Sequence, residues 1–218
     1  MVRRNIACVP VDVMLGGADH DLTKASSVEK IMATVKHYDI KYVHFAIPCN
    51  TYSIARFPKI RSKDEPLGKK DGLSPKERDA IRMSNICSAN SFTLMEKLSA
   101  IDVGWSVENP NNSLLWHTPL WIRLNRKFEP SIVKLHYCQY GEPFKKPTKI
   151  AVWHRTNKHF LDGMSKLCPG IECSKNHVML SCWCHKTHNS LHTKYGTSAY
   201  PAKLCTRWSM LVSSILGL

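Results

Sequence analysis

The sequence predicts an α/β domain built around a parallel sheet, and three observations lead to that expectation. Over the first two-thirds of the chain, short apolar runs without helical period alternate with segments whose apolar residues recur every three to four positions. Three of the apolar runs end in reactive side chains, Asp12, Cys49 and Glu108, and open parallel sheets bind ligands beyond the carboxyl ends of their strands. With 218 residues, 43% of them hydrophobic and 22% charged, the chain can bury one core and is no disordered polyelectrolyte.

The elements follow in order. Ile6 to Val13 reads as a buried strand ending near Asp12, followed by a Gly16-Gly17 turn and the run Asp19-His20-Asp21-Leu22-Thr23. Ser26 or Ser27 can cap a helix whose apolar face is Val28, Ile31, Met32 and Val35. Tyr42 to Ile47 is a second strand that runs into Pro48-Cys49. Arg56 to Lys76 is dense in charge, Pro and Gly, and reads as a mobile loop. Ser74-Pro75, with Glu77 in the first turn, opens a long helix with Ala80, Met83, Cys87, Leu94 and Leu98 on its apolar face. Val103 to Val107 is a third strand, ending in Glu108-Asn109-Pro110. Thr118-Pro119 starts a short helix containing Trp121, Ile122 and Leu124. Ile132 to Cys138 and Lys149 to Trp153 complete the sheet. Residues 1–154 therefore form an α/β core and 155–198 a Cys/His-rich insert. Residues 199–218 form a helix packing back on the core, with Leu204, Trp208, Leu211 and Ile215 on one face.

Charge narrows the function. Lys plus Arg number 31 against 17 Asp plus Glu, a net +14 that suits a polyanion, with nucleic acid as the first candidate. No apolar run reaches the roughly 20 residues needed to span a bilayer, so no membrane partner is expected. The first residues carry no secretory pattern, and the nine Cys are an odd number, so an intracellular thiol protein is expected rather than a disulfide scaffold.

The motif Pro48-Cys49-Asn50-Thr51-Tyr52-Ser53, followed some way on by Glu108-Asn109-Pro110, resembles the DNA cytosine-5 methyltransferases. Their nucleophile motif is Pro-Cys-Gln-x-Phe-Ser and their acid motif Glu-Asn-Val. A divergent branch from phages and mobile elements is closer. It shares Pro-Cys-x-Thr-x-Ser-x-Ala-Arg, Glu-Asn-Pro-x-x-Ser-x-Leu-Trp and Cys-x-Tyr-Gly-x-Pro-x-x-Lys-Pro-Thr with Pro48 to Arg56, Glu108 to Trp116 and Cys138 to Thr148. The likeness spans about residues 9 to 205 and keeps motif order.

That resemblance implies a Rossmann-like S-adenosylmethionine methyltransferase sheet acting on DNA. Cys49, after Pro48, would be the nucleophile at carbon 6 of a flipped cytosine, and Glu108 would stabilise N3. Asn109 and Pro110 would shape the turn aiming Glu108. Asp12 would hold the cofactor ribose, while Asp21 and Leu22 would hold its adenine. The family also begins with a strand and a Phe-x-Gly-x-Gly loop, whereas only Met1 to Asn5 precede the strand matching its second. The sheet is therefore expected to lack its first strand. Either cofactor binding is impaired by truncation, or a second polypeptide supplies that strand.

Cys168-x4-Cys173-x3-His177 has ligand spacing, and Cys138 at a strand end could complete a Cys3His zinc site. Cys182, Cys184, His185 and His188 are rival ligands, and metal-free thiols are the simpler alternative. Lys145, Lys146, Lys149 and Arg155 would contact phosphate. Methyl transfer to cytosine is the leading expectation. The alternatives are a non-catalytic, zinc-stabilised DNA-binding remnant and one subunit of a split enzyme.

Overall fold

The structure, a computed structural model, describes residues 6–154, 161, 163–170, 173, 200–215 and 217. A one-turn helix α1 (Val13–Gly16) precedes helix α2 (Ala25–His37), strand β1 (Tyr42–Ala46) and the long helix α3 (Pro75–Ala100). Strand β2 (Gly104–Pro110), helix α4 (Pro119–Phe128), strands β3 (Ser131–His136) and β4 (Pro147–Trp153) and helix α5 (Ala202–Ile215) follow.

The four strands form one sheet in the order β1-β2-β4-β3. β1 and β2 are parallel, with Ala46 opposite Glu108. β4 is antiparallel to both β2 and β3, so the sheet is mixed rather than all-parallel. The physical reason is connection length. A parallel pair needs a crossover, which α3 supplies between β1 and β2, whereas residues 137–146 are too few for one between β3 and β4.

Helices cover both faces. On one face α2, α3 and α4 pack over the inward residues Phe45, Trp105, Val107 and Ala151 through Val28, Met32, Val35, Phe92, Met95, Leu98, Trp121 and Leu124. On the other, α5 lays Leu204, Trp208, Leu211 and Val212 against Val133, Leu135, Ile150 and Val152. Alternate residues of each strand thus serve different layers, as the period of two requires. None of the described helices is long and apolar enough to cross a membrane.

α3 begins as its sequence dictates. Ser74 caps it by accepting from Glu77 N, Glu77 returns a carboxylate to Ser74 N, and Pro75 occupies the first turn. Its buried face is wider than the expected stripe, with Ile81, Ser88, Ser91, Phe92 and Met95 buried beside Leu94 and Leu98 while Ala80, Met83 and Cys87 are half-buried.

Four other expectations change. Ile6 to Val13 forms no strand. Residues 6–12 are irregular, Val13 enters α1, and Val9, Val11 and Val13 are 43%, 40% and 52% exposed. Among the described residues nothing pairs with the outer edge of β1, so the segment makes no ladder hydrogen bonds. Neither Ser26 nor Ser27 caps α2. The helix already starts at Ala25, and the buried Ser27 hydroxyl donates to the Ala18 carbonyl at 3.3 Å. The strand expected to stop at Val107 runs on through Glu108, Asn109 and Pro110. Finally, the 56–76 segment is irregular but anchored, with Ile60 1% and Arg61 2% exposed.

Candidate active site

The turn after β1 carries Cys49 and is held by β2. Asn109, fully buried, donates from Nδ2 to the Ile47 carbonyl at 2.7 Å, two residues before Cys49. The next residues are fixed from both sides. Leu114 N donates to the Tyr52 carbonyl at 2.9 Å, and the buried Tyr52 hydroxyl is 2.9 Å from Ser88 Oγ on α3. Asn109, expected to shape the turn that aims Glu108, spends its Nδ2 on the backbone that leads into Cys49.

Arg61 completes this support and carried no signal in the sequence beyond its place in a charged segment. Its guanidinium lies 4.0 Å from the Tyr52 ring centroid and donates to the Pro66 carbonyl at 2.7 Å, Asn85 Oδ1 at 2.8 Å and Thr51 Oγ1 at 3.2 Å. These carbonyl, amide and hydroxyl oxygens and the π face balance the buried cation.

Glu108 sits on the α5 side of β2, 7% exposed. Its Oε2 accepts from the Tyr200 hydroxyl at 3.4 Å, and Oε1 is buried without a hydrogen-bond partner. Burial pushes its carboxyl above the usual range, against the pull of Lys146 and the Tyr200 hydrogen bond. His44 stands behind Tyr200, with Nε2 2.9 Å from the Tyr200 hydroxyl and Nδ1 2.7 Å from Ser106 Oγ. Burial lowers the His44 imidazole to about 4, so it is neutral at ordinary pH. Tyr200 and His44 were not among the expected residues. A Tyr-Pro pair ahead of the last helix and a His inside an apolar strand were the only available hints.

Cys49 is half-buried, and burial is the first influence on its thiol, pushing it up; Lys146 pulls it down and Glu108 pushes it up again. The thiol, the carboxyl and the ammonium of Lys146 therefore share one electrostatic neighbourhood. Lys146 Nζ lies 4.7 Å from the Tyr137 ring centroid, and Lys149 Nζ lies 4.6 Å from that of Trp116. Lys145 is exposed, while Lys146 and Lys149 are half-buried. Arg155, the fourth expected phosphate contact, lies outside the described residues.

Each of the expected cofactor residues has bonds of its own within the chain. Asp12 caps α1 on the exposed surface, its Oδ1 accepting from Met14 N at 2.8 Å. Asp21 turns back on Thr23, accepting from its N–H at 2.9 Å and its hydroxyl at 2.6 Å, which holds its carboxyl below the usual range. Leu22 packs against the core and its carbonyl accepts from Asn90 Nδ2 at 2.8 Å. Asp12 follows an irregular segment rather than a strand, and its carboxylate and that of Asp21 are engaged by neighbouring backbone N–H groups and the Thr23 hydroxyl.

The expected metal ligands do come together. The sulfurs of Cys138, Cys168 and Cys173 lie within 4.8 Å of one another. His177, the fourth expected ligand, and Cys182, Cys184, His185 and His188 lie outside the described residues. Cys138, buried in the 3-10 turn Tyr137–Tyr140 past β3, has its thiol pushed up by burial. At Cys168 the effect of burial is outweighed by hydrogen bonds from the Gly170 backbone, Cys173 and Cys138, and its thiol falls below the usual range.

No family model, curated protein or solved structure matches this chain.

Proposed function

We propose that Cys49 and Glu108 form the base-activating half of a DNA cytosine-5 methyltransferase-like site. The observation that carries this reading is the shared neighbourhood of a half-buried thiol, a buried carboxyl with one unpartnered oxygen, and Lys146. In the proposed step the Cys49 thiol gives its proton to solvent and the thiolate, drawn towards the Lys146 ammonium, adds to carbon 6 of a flipped cytosine, forming a C–S bond. The Glu108 carboxyl, whose protonated form burial favours, would donate to N3 and stabilise the charge that addition places on the ring. The displaced π electrons make carbon 5 nucleophilic. Tyr200 holds Glu108, and Asn109 holds the Cys49 turn. The net charge of +14 favours a nucleic-acid partner, to which Lys145, Lys146 and Lys149 would present cations.

The methyl donor in the resembled family is S-adenosylmethionine. Asp12 and Asp21 engage carboxylate oxygens within their own turns, so we assign this chain no cofactor-dependent step. One observation favours a split enzyme: among the described residues, the outer edge of β1 pairs with no strand. A second polypeptide adding a strand there would supply both a ladder and a glycine loop.

The test needs no methyl donor. Reversible addition of a thiolate at carbon 6 lets a solvent proton add at carbon 5 and the original hydrogen leave as the thiolate departs. An oligonucleotide carrying deuterium at cytosine carbon 5 should therefore lose label with the wild-type chain and keep it with Cys49→Ser. Label loss that persists in Cys49→Ser overturns the proposal. Salt-sensitive binding without exchange overturns it too, and supports the DNA-binding remnant.

A further inference from the structure

We propose that Cys138, Cys168 and Cys173 bind one zinc(II) ion as thiolates, and that this centre clamps the β3–β4 connection that carries Lys146. Three thiolates around zinc at about 2.3 Å stand about 3.8 Å apart in a tetrahedron. Sulfurs already within 4.8 Å of one another need to close by no more than about 1 Å to reach that arrangement. They come from two distant stretches, so the cluster is a product of folding rather than of sequence adjacency.

The surroundings are built for anionic sulfur. Gln139 Nε2 lies 3.7 Å from both Cys138 Sγ and Cys173 Sγ, as N–H donors stand beside thiolate ligands. Cys168 N donates to His136 Nδ1 at 2.8 Å, and His136 N donates to the Lys166 carbonyl at 2.9 Å, fixing the two stretches together. Cys173 N donates to the Gly170 carbonyl at 3.1 Å, in a turn where Gly170 has φ +77° and allows the chain to bend back. Soft thiolate donors select zinc over the hard divalent cations. On binding, each thiol releases its proton to solvent and forms a sulfur–zinc bond, leaving one position for a further donor.

The centre has a mechanical consequence. Cys138 lies in the Tyr137–Tyr140 turn, Tyr137 N donates to the Lys146 carbonyl at 3.3 Å, and the Lys146 ammonium rests on the Tyr137 ring. Tying Cys138 to Cys168 and Cys173 therefore holds the loop between Gly141 and Lys146 closed at both ends.

The full chain, expressed with zinc and purified without chelator, should hold about one zinc per chain. Exchanged for cobalt(II), the ion should give the intense visible bands of a tetrahedral site and a near-ultraviolet thiolate charge-transfer band. Cys138→Ser, Cys168→Ser and Cys173→Ser should each lose the charge-transfer band, and Cys8→Ser, at an exposed thiol outside the cluster, should keep it. The wild-type measurements stand even if a variant fails to fold. Background zinc with no cobalt spectrum overturns the site, and so does a full equivalent in the triple Ser variant. For the clamp, removing the metal should speed trypsin cleavage after Lys145 by about tenfold through local opening. An unchanged rate in a metal-binding chain overturns that part. None of these readouts depends on the cytosine chemistry.

Discussion

Around Cys49, bonds arrive from far along the chain: Asn109 holds Ile47, Leu114 holds Tyr52, Arg61 bridges Thr51 and Asn85, and Tyr200 reaches both Glu108 and His44. Around Asp12 the bonds are short-range, to Met14, Leu15, Gly16 and His20, on an exposed surface where Met14 and Leu15 are 88% and 70% exposed. Both regions carry acidic residues after an apolar run. The difference lies in the sheet. β1 and β2 pair with each other and give their loops a rigid base, whereas the Ile6–Asp12 stretch pairs with no strand among the described residues, and of it only Ile6 is buried against the core. A reactive residue becomes a site when tertiary bonds fix its turn.

Breaking the support of the first region should give the largest effect. Arg61→Ala leaves the buried acceptors around Thr51 and Asn85 without their donor and should cost about 3 kcal/mol in urea unfolding. A loss well under about 1 kcal/mol would mean that the 56–76 segment is not anchored through this side chain.

The acid side of the same region should show in pH dependence. The folded state holds the His44 imidazole down at about 4 from 6.5, so it contributes stability above the unfolded value and loses it as pH falls towards the folded one. Between those pH values the wild type should lose on the order of 3 kcal/mol relative to His44→Asn. Parallel curves for the two proteins would remove His44 from the network.

Glu108 shifts the opposite way. Its folded carboxyl is raised, so it disfavours the folded state progressively as pH rises above the unfolded carboxylate range. Glu108→Gln should therefore stabilise the protein at neutral pH by about 1 kcal/mol while abolishing label exchange, the signature of a group kept for chemistry rather than for the fold. A destabilised variant would instead make Glu108 structural.

The smallest change belongs to the second region. Asp12→Ala removes only the cap of a four-residue exposed helix and should cost no more than about 0.5 kcal/mol. In the same preparation, calorimetric titration with S-adenosylmethionine should detect no tight binding. Micromolar affinity in this chain alone would show that Asp12, Asp21 and Leu22 make a working cradle after all.

Much of the architecture was readable from local pattern. The period of α2, the capping box of α3, the Thr118-Pro119 start of α4 and the apolar face of α5 all lie where sequence spacing puts them, because caps and amphipathic faces are local. Cys49 and Glu108 stood out for the same reason: each closes or follows an apolar run within a compact motif. Arg61, Tyr200 and His44 did not, since an Arg in a charged segment, a Tyr before a helix and a His in a strand look ordinary until their partners arrive.

The sequence by itself determined the net charge, most of the elements and which side chains are candidates for chemistry, because these follow from residue type and short-range spacing. Only the tertiary structure decided that the sheet is mixed, that Ile6–Val13 forms no strand, and that Cys138, Cys168 and Cys173 meet. Those outcomes depend on which segments lie side by side. A strand exists only with a neighbour to take its hydrogen bonds, and thiols form a metal cluster only when the fold brings their sulfurs within bonding reach.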